Sequence, residues 1–454
     1  MLKPSRIRRQ IFLAIMDFLV LVFSVPIALL VRNVDFPHLE NIRIHFFYFL
    51  PVMLFWIIAM YTAGFYILEK PLSAFRQSII LLLIALISAG FGFSIFYLFS
   101  VGKITPKTVL FVYTMTAYIL LVLWRSIYAA IYFGLKNYPH VLFIGYNSTV
   151  AELLEFIQGK TYFKYEPLAV FSDRPEISAP IKTLHTAAEL ERFFAQNKVD
   201  IVILSTTHYS DINIRRILFS LLNKKVSLFM IQDFYELTTR RLPIDVLNDS
   251  WIISKINLNS KNLYLFIKRV ADIFISLVSL IVLSPLLLIV AFLIKISSKG
   301  PVFFKQTREG RDGKCFTILK FRTMHIDNND FSPTAAGDSR ITKIGGFLRK
   351  TRIDEIPQMF NVLKGEMSFI GPRPERVDLS EELDKQIPFY RQRLLVKPGI
   401  SGWDQVSGEY HSPSVEDTIE KVKHDLYYIK NISLFLDISI LFKTITTIVK
   451  KAGR

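Results

Sequence analysis

One cysteine, Cys315, stands in 454 residues, so no intrachain disulfide can form and the folded parts suit a reducing compartment. Charge is also scarce, at 20% of residues, and the acidic sign is the rarer: 38 Asp and Glu against 55 Lys and Arg, a net charge of +17. With 51% hydrophobic residues, 39 Phe and a mean hydropathy of +0.36, this composition excludes an ordinary soluble protein. A basic balance alone suits nucleic acid or an anionic membrane surface. Here the basic residues mostly flank apolar stretches, which favours the membrane. A cleavable signal peptide is not expected, because the first apolar run is long and lacks a small-residue cleavage site.

Four apolar runs, at 11–31, 46–68, 79–101 and 109–133, have the roughly 20 residues needed to cross a bilayer. The basic opening Lys3-Pro4-Ser5-Arg6-Ile7-Arg8-Arg9 puts the start of the chain on the cytoplasmic side, and four crossings return it there. Asp17 lies in the first run, as a functional intramembrane carboxylate, a helix cap or the partner of a neighbouring Arg. Beyond Tyr138 the pattern changes. Residues 141–145, 200–204 and 226–231 read as buried strands, and 148–158 and 212–223 as helices, which implies a parallel α/β domain. A dinucleotide site needs a glycine-rich turn after the first strand. Gly145-Tyr146-Asn147-Ser148-Thr149-Val150 supplies one glycine, so a structural or regulatory domain is expected instead.

A fifth apolar run, 273–294, is long enough to span but holds Ser284-Pro285 at its middle, where proline removes a helix hydrogen bond. Lys268 and Arg269 precede it, and Lys295, Lys299, Lys305 and Arg308 follow it. Positive charge at both ends favours a helix that enters the membrane, breaks at Ser284-Pro285 and leaves by the same face. The alternative, a straight span, would put everything after it on the outer face. Further on, 302–306 and 315–320 read as a hairpin turned by Arg311-Asp312-Gly313-Lys314. The amphipathic stretch 434–448 suits a membrane-surface helix or a terminal helix packed on the core.

The string Thr351-Arg352-Ile353-Asp354-Glu355-Ile356-Pro357 carries the chemistry. Ile353, Ile356, Phe360 and Leu363 share a helical face, and Pro357 is tolerated only in a first turn, so a helix is expected to begin near Ile356. Asp354 and Glu355 then sit at its positive end. An ionised carboxylate there can attack phosphorus or bind magnesium. It could equally be a helix cap with an acidic neighbour. Lys320, Arg322, Arg349 and Arg373 lie in the same region, and a diphosphate needs such charge. Pro372 and Pro374 restrict Arg373 for bidentate phosphate contact.

These residues belong to an ordered set of motifs. Lys268-Arg269-Val270-Ala271-Asp272, the helix broken at Ser284-Pro285, Lys320-Phe321-Arg322-Thr323-Met324, Asp354-Glu355-Ile356-Pro357-Gln358, Gly371-Pro372-Arg373-Pro374 and Lys397-Pro398-Gly399-Ile400-Ser401-Gly402-Trp403 resemble the bacterial sugar transferase family, the monotopic polyprenyl-phosphate sugar-1-phosphate transferases. The preceding spans and α/β domain resemble its large subclass, which initiates O-antigen, capsule or exopolysaccharide synthesis. The resemblance implies a membrane protein with a four-helix transmembrane bundle at 1–136, a cytoplasmic, degenerate Rossmann-like α/β domain at 137–255, and an α+β catalytic domain at 261–454 with its re-entrant membrane helix at about 270–296. It also implies a two-step transfer from a UDP-sugar through an aspartyl-phosphosugar at Asp354 to undecaprenyl phosphate, with UMP released. Mg2+ would sit at Asp354 and Glu355. Lys320, Arg322, Arg349, Arg373, Lys268 and Arg269 would bind substrate, at the cytoplasmic face of the bacterial inner membrane and among its lipids. A homodimer suits a chain with a separate α/β domain, and nucleic acid is not an expected partner.

Asp404, Ser407, Glu409 and Arg352 depart from the usual family pattern and leave the donor open between a hexose and an N-acetylamino sugar. A competing class is a membrane scaffold with an inactive C-terminal region, against which the intact Asp354, Glu355 and Arg373 speak.

Overall fold

The computed structural model describes residues 4–33, 37–66, 74–98, 107–134, 138–159, 165–173, 179–205, 212–221, 226–325, 338, 340–407 and 414–449. The predicted ends of the second and third spans at Leu68 and Val101, and Glu409, lie outside this set. Two compact units divide the chain: one of 1–141 with 154–168 and 198–200, the other of 142–153, 169–197 and 201–454.

In the first unit, α1 (Pro4–Asn33), α2 (Leu39–Thr62), α3 (Ala74–Leu98) and α4 (Lys107–Gly134) pack side by side, α1 and α3 each against both α2 and α4. Each is apolar on all sides and long enough to cross a bilayer. Leu21, Trp56, Tyr113 and Leu121 fill the shared interior, while Phe23, Ile58, Phe111 and Ile127 face outward. Asp17 is neither free nor a cap. Arg125 on α4 donates to both of its carboxylate oxygens, through Nε at 3.0 Å to Oδ1 and through Nη2 to Oδ2. Trp124 Nε1 adds a bond of 3.1 Å, and Arg125 Nη1 also reaches the Phe65 carbonyl at 3.1 Å. A charge among apolar helices persists only when matched in this way.

The α/β region runs β1 (His140–Ile144), α5 (Ser148–Gly159), β2 (Glu166–Phe171), β3 (Lys182–Leu184), α6 (Ala187–Gln196), β4 (Ile201–Leu204), α7 (Ile212–Leu221), β5 (Ser227–Met230), α8 (Ile231–Thr239) and α9 (Asp249–Lys255). The strands form one sheet in the order β3-β2-β1-β4-β5, with β2 parallel to β3 and β4 parallel to β5. The order reverses between β1 and β4, where open α/β sheets bind ligands. There Asn147 Oδ1 caps α5 through Val150 N at 2.9 Å, and Asn147 Nδ2 donates to Ser205 Oγ at 3.0 Å.

The remainder begins with α10 (Asn262–Ser297), then β6 (Phe303–Glu309), β7 (Cys315–Phe321), α11 (Lys343–Thr351), α12 (Gln358–Lys364), β8 (Ser368–Ile370), α13 (Val377–Gln386), β9 (Gly399–Ser401), α14 (Val415–Asn431) and α15 (Leu434–Val449). β6 and β7 form the expected antiparallel hairpin, closed by a turn in which Asp312 (φ 56°) and Gly313 (φ 75°) are left-handed. The break expected at Ser284-Pro285 does not interrupt the helix: α10 stays helical through both residues. Proline has no N–H to give the Ile281 carbonyl four residues back, and Ser284 Oγ donates to that carbonyl instead, at 2.8 Å. The helix after the acid pair starts later than expected, at Gln358. Residues Ile353–Glu355 form a separate 3-10 turn ahead of it. In α15, Leu436 and Ile440 are buried in a core shared with Trp403, Leu426 and Ile429, so one face of this helix is core-packed.

Candidate active site

Four elements converge on Asp354 and Glu355. Arg352 closes α11 in the left-handed conformation (φ 60°), which turns the chain sharply into the 3-10 turn. Ile353 is packed with Leu348 of α11, Phe321 of β7, and Val290 and Ile294 of α10. The two acids that follow are therefore anchored where the hairpin, α11 and the second half of α10 meet. Both are buried, at 9% and 8% exposure.

β7 delivers Lys320, whose Nζ donates to Glu355 Oε1 at 2.8 Å. The loop after β8 delivers Arg373, whose Nη2 donates to the same oxygen at 3.3 Å. This loop is set by the close parallel pairing of β8 and β9. A Cβ on Gly371 would lie 2.4 Å from the Lys397 carbonyl, and one on Gly399 would lie 2.1 Å from Gly371 N, so neither position accepts a side chain. Arg352 Nη1 approaches Glu355 Oε2 at 3.5 Å. Arg349 is held by Thr323, Nε to Oγ1 at 2.9 Å, and its charge acts on Asp354 through space.

The two acids consequently differ. Burial opposes ionisation of Glu355, but Lys320, Arg373 and Arg352 outweigh it and hold the carboxyl well below its ordinary range. Burial and then the Glu355 charge push the Asp354 carboxyl up, with Lys320, Arg349 and Arg352 only partly opposing. Asp354 Oδ1 is buried and has no hydrogen-bond partner among the described residues. A buried carboxylate oxygen without a donor is costly in a resting protein and suits a ligand, a metal ion or an attacked phosphorus. Among the described residues no group of three or more His, Cys, Asp or Glu could hold a metal. An acid pair of hard oxygen donors nonetheless fits magnesium, which binds through one or two carboxylates and completes its shell with water and phosphate oxygens.

The sequence-predicted residues separate into three places. Asp354, Glu355, Lys320, Arg349 and Arg373 come together. Arg322 is buried elsewhere, donating to the Lys299 carbonyl at 3.0 Å and the Ser298 carbonyl at 2.8 Å just past α10. Lys268 and Arg269 lie near the start of α10. Lys268 Nζ pairs with Asp437 at 2.7 Å, and Arg269 donates to the Val362 and Leu363 carbonyls at 2.6 and 2.8 Å. Asp272 accepts from Phe369 N at 3.2 Å. Sequence reasoning missed two contributors. Arg352 stands out in the sequence only as a departure from the family pattern, yet it approaches Glu355. Arg393 donates to the Arg373 carbonyl at 3.1 Å, to Tyr390 Oη at 2.9 Å and to Asp425 at 2.8 Å, bracing the arginine loop from behind. Burial pushes the Asp425 carboxyl up to about 7 despite that arginine.

Residues 263–451 match a family described as bacterial sugar transferase, and residues 62–231 one described as CoA-binding domain. The chain is 45% identical over 230 residues, half of its length, to a UDP-N-acetylgalactosamine-undecaprenyl-phosphate N-acetylgalactosaminephosphotransferase of Aeromonas hydrophila. It is 31% identical over 296 residues, 64% of its length, to a UDP-glucose:undecaprenyl-phosphate glucose-1-phosphate transferase of Escherichia coli (strain K12). These matches span 53% and 64% of the two relatives. A match of 43% identity over 194 residues, 40% of this chain, covers 95% of an exopolysaccharide production protein, PSS, of Rhizobium leguminosarum bv. phaseoli.

Proposed function

The chain belongs to the bacterial sugar transferase family, and from that membership we propose that it moves a sugar 1-phosphate from a UDP-sugar to undecaprenyl phosphate, releasing UMP, with Asp354 as the carrier. The observation that carries this reading is the asymmetry of the acid pair: Glu355 is engaged by three cations, while Asp354 keeps an unpartnered oxygen and a raised pKa. The less stabilised carboxylate is the better nucleophile.

In the first step an Asp354 oxygen forms a bond to the sugar-bearing phosphorus, and the bond to the UMP oxygen breaks, UMP taking the electron pair. In the second, a phosphate oxygen of undecaprenyl phosphate attacks the same phosphorus, and the Asp354 carboxylate leaves. Lys320, Arg349 and Arg373 stand close enough to spread the charge that builds on the phosphoryl oxygens. Glu355 holds Lys320 and Arg373 in place between the steps. Asp354 and Glu355 are the residues that would hold a magnesium ion, which would supply Lewis-acid stabilisation of the diphosphate.

The membrane arrangement belongs to the same proposal. α1–α4 cross the bacterial inner membrane as a bundle, α10 enters and leaves by the cytoplasmic face, and the acid pair works on that face, where an undecaprenyl chain can reach it. The relatives' names include both N-acetylgalactosamine and glucose donors, so the donor class stays open between an N-acetylamino sugar and a hexose. Purified protein given undecaprenyl phosphate and single UDP-sugars, one at a time, should release UMP with one class. Equal UMP release from every UDP-sugar, or none from any UDP-sugar with undecaprenyl phosphate present, would overturn the assignment.

A further inference from the structure

A second basic cluster lies apart from the acid pair, beside the first turns of α10. A cavity of about 310 Å³ opens there, lined by the apolar Leu265, Ile370 and Val396 and by the charged Arg269, Asp272, Arg311 and Lys397. Arg269 is fixed by its two bonds to the carbonyls that end α12. α12 carries the acid pair just before its start, so its seven residues set the two sites roughly 10 Å apart. Gly365 closes α12 with φ 90° and leaves the gap between the cations open. A Cβ on it would lie 3.3 Å from Arg269 Nη2 and 3.5 Å from Lys397 Nζ.

Lys397 has no hydrogen bond or ion pair among the described residues, and it faces two like charges, Arg269 and Arg311, against one carboxylate, Asp272. Asp272 is itself engaged by Phe369 N. Arg311 is half exposed, and among the described residues its one ion-pair partner is its chain neighbour Asp312, at 3.3 Å. Cations lining one cavity repel one another, and an anion held between them offsets that repulsion. The neighbouring face of α10 presents Leu263, Phe266, Val270 and Phe274, all strongly exposed, on a helix long and apolar enough for a bilayer.

We propose that this cavity is a second anion site, which takes the phosphate headgroup of an anionic membrane lipid while the acyl chains lie along α10. Phosphate is the shared chemistry of a lipid headgroup and the free ion. The apolar wall and the exposed α10 face favour the lipid. The site would hold the entry of α10 at an anionic surface, and the inference rests on α10 lying in the membrane, not on the transfer reaction.

The test needs no turnover. Full-length protein in neutral detergent is titrated with short-chain phosphatidylglycerol, phosphatidylcholine or inorganic phosphate, and bound molecules are counted by native mass spectrometry. Wild type should retain phosphatidylglycerol over phosphatidylcholine. Lys397→Gln and Arg311→Gln should each weaken that retention about 5-fold with unchanged thermal unfolding, whereas Lys385→Gln, on the exposed side of α13, should not. Equal retention of both lipids, or wild-type retention by both cavity variants, would overturn the proposal. So would saturation by millimolar inorganic phosphate with no lipid preference, which would assign the site to the free ion.

Discussion

At Asp354 and Glu355, two neighbours of nearly identical chemistry are given opposite surroundings, and the functional account follows from that difference. Three cations claim Glu355, and one oxygen of Asp354 is left without a donor. Asp354→Asn should lower UMP release by at least about 1,000-fold, as removal of a nucleophile does, with donor binding retained in a UDP-sugar titration. Arg349→Gln probes the same carboxylate electrostatically. The Arg349 charge opposes the rise of the Asp354 pKa, so its loss raises that pKa further. Because the attacking form is ionised, the acid limb of kcat/KM should move to higher pH. A limb that stays put or moves down would separate Arg349 from Asp354. Much of this was legible in the chain: adjacent acids before a proline, and an arginine between two prolines, are local signals. Arg393 was not legible, because its partners Arg373 and Asp425 lie 20 and 32 residues away and only the fold brings them together. Arg322 read as a phosphate ligand because charge and proximity in sequence were all that could be weighed. Its guanidinium turns the other way.

At the level of elements, the hairpin and the long helices were visible because each carries its own pattern, a turn sequence or an unbroken apolar run. β3, β8 and β9 were not, since three-residue strands have no periodicity to detect. β8 and β9 exist because Gly371 and Gly399 let two backbones touch. The start of α12 was misplaced by two residues, since helical backbone angles at Ile356 and Pro357 precede the first regular hydrogen bonds. Arg322→Met strips charged donors from the carbonyls after α10, so it should cost about 1.5–3 kcal/mol, seen as a lower Tm with KM for the UDP-sugar unchanged. A raised KM at constant Tm would instead return Arg322 to the substrate site. Ser284→Ala removes the hydroxyl that serves the Ile281 carbonyl beside Pro285, which should destabilise α10 by about 0.5–1.5 kcal/mol. Unaltered unfolding of this variant would show that the carbonyl is served by another donor.

For the whole molecule, the decisive sequence information was the distribution of charge around apolar runs, which proposes a side of the membrane that packing alone cannot indicate. The chain contains its own reporter, because its one cysteine, Cys315, is exposed at the start of β7, after α10. If α10 returns to the cytoplasmic face, a membrane-impermeant maleimide should leave Cys315 unlabelled in intact cells and label it after permeabilisation. Labelling of intact cells would make α10 a full crossing. The proposed transfer passes through a bond between Asp354 and the sugar phosphate, and the mass of the intact chain reports that bond. Protein mixed with its UDP-sugar in the absence of undecaprenyl phosphate, then quenched, should gain the mass of one sugar phosphate, mapped to the peptide holding Asp354, and lose it when acceptor is added. Enzyme that turns over fully yet never acquires that mass, or acquires it on another residue, would contradict the account.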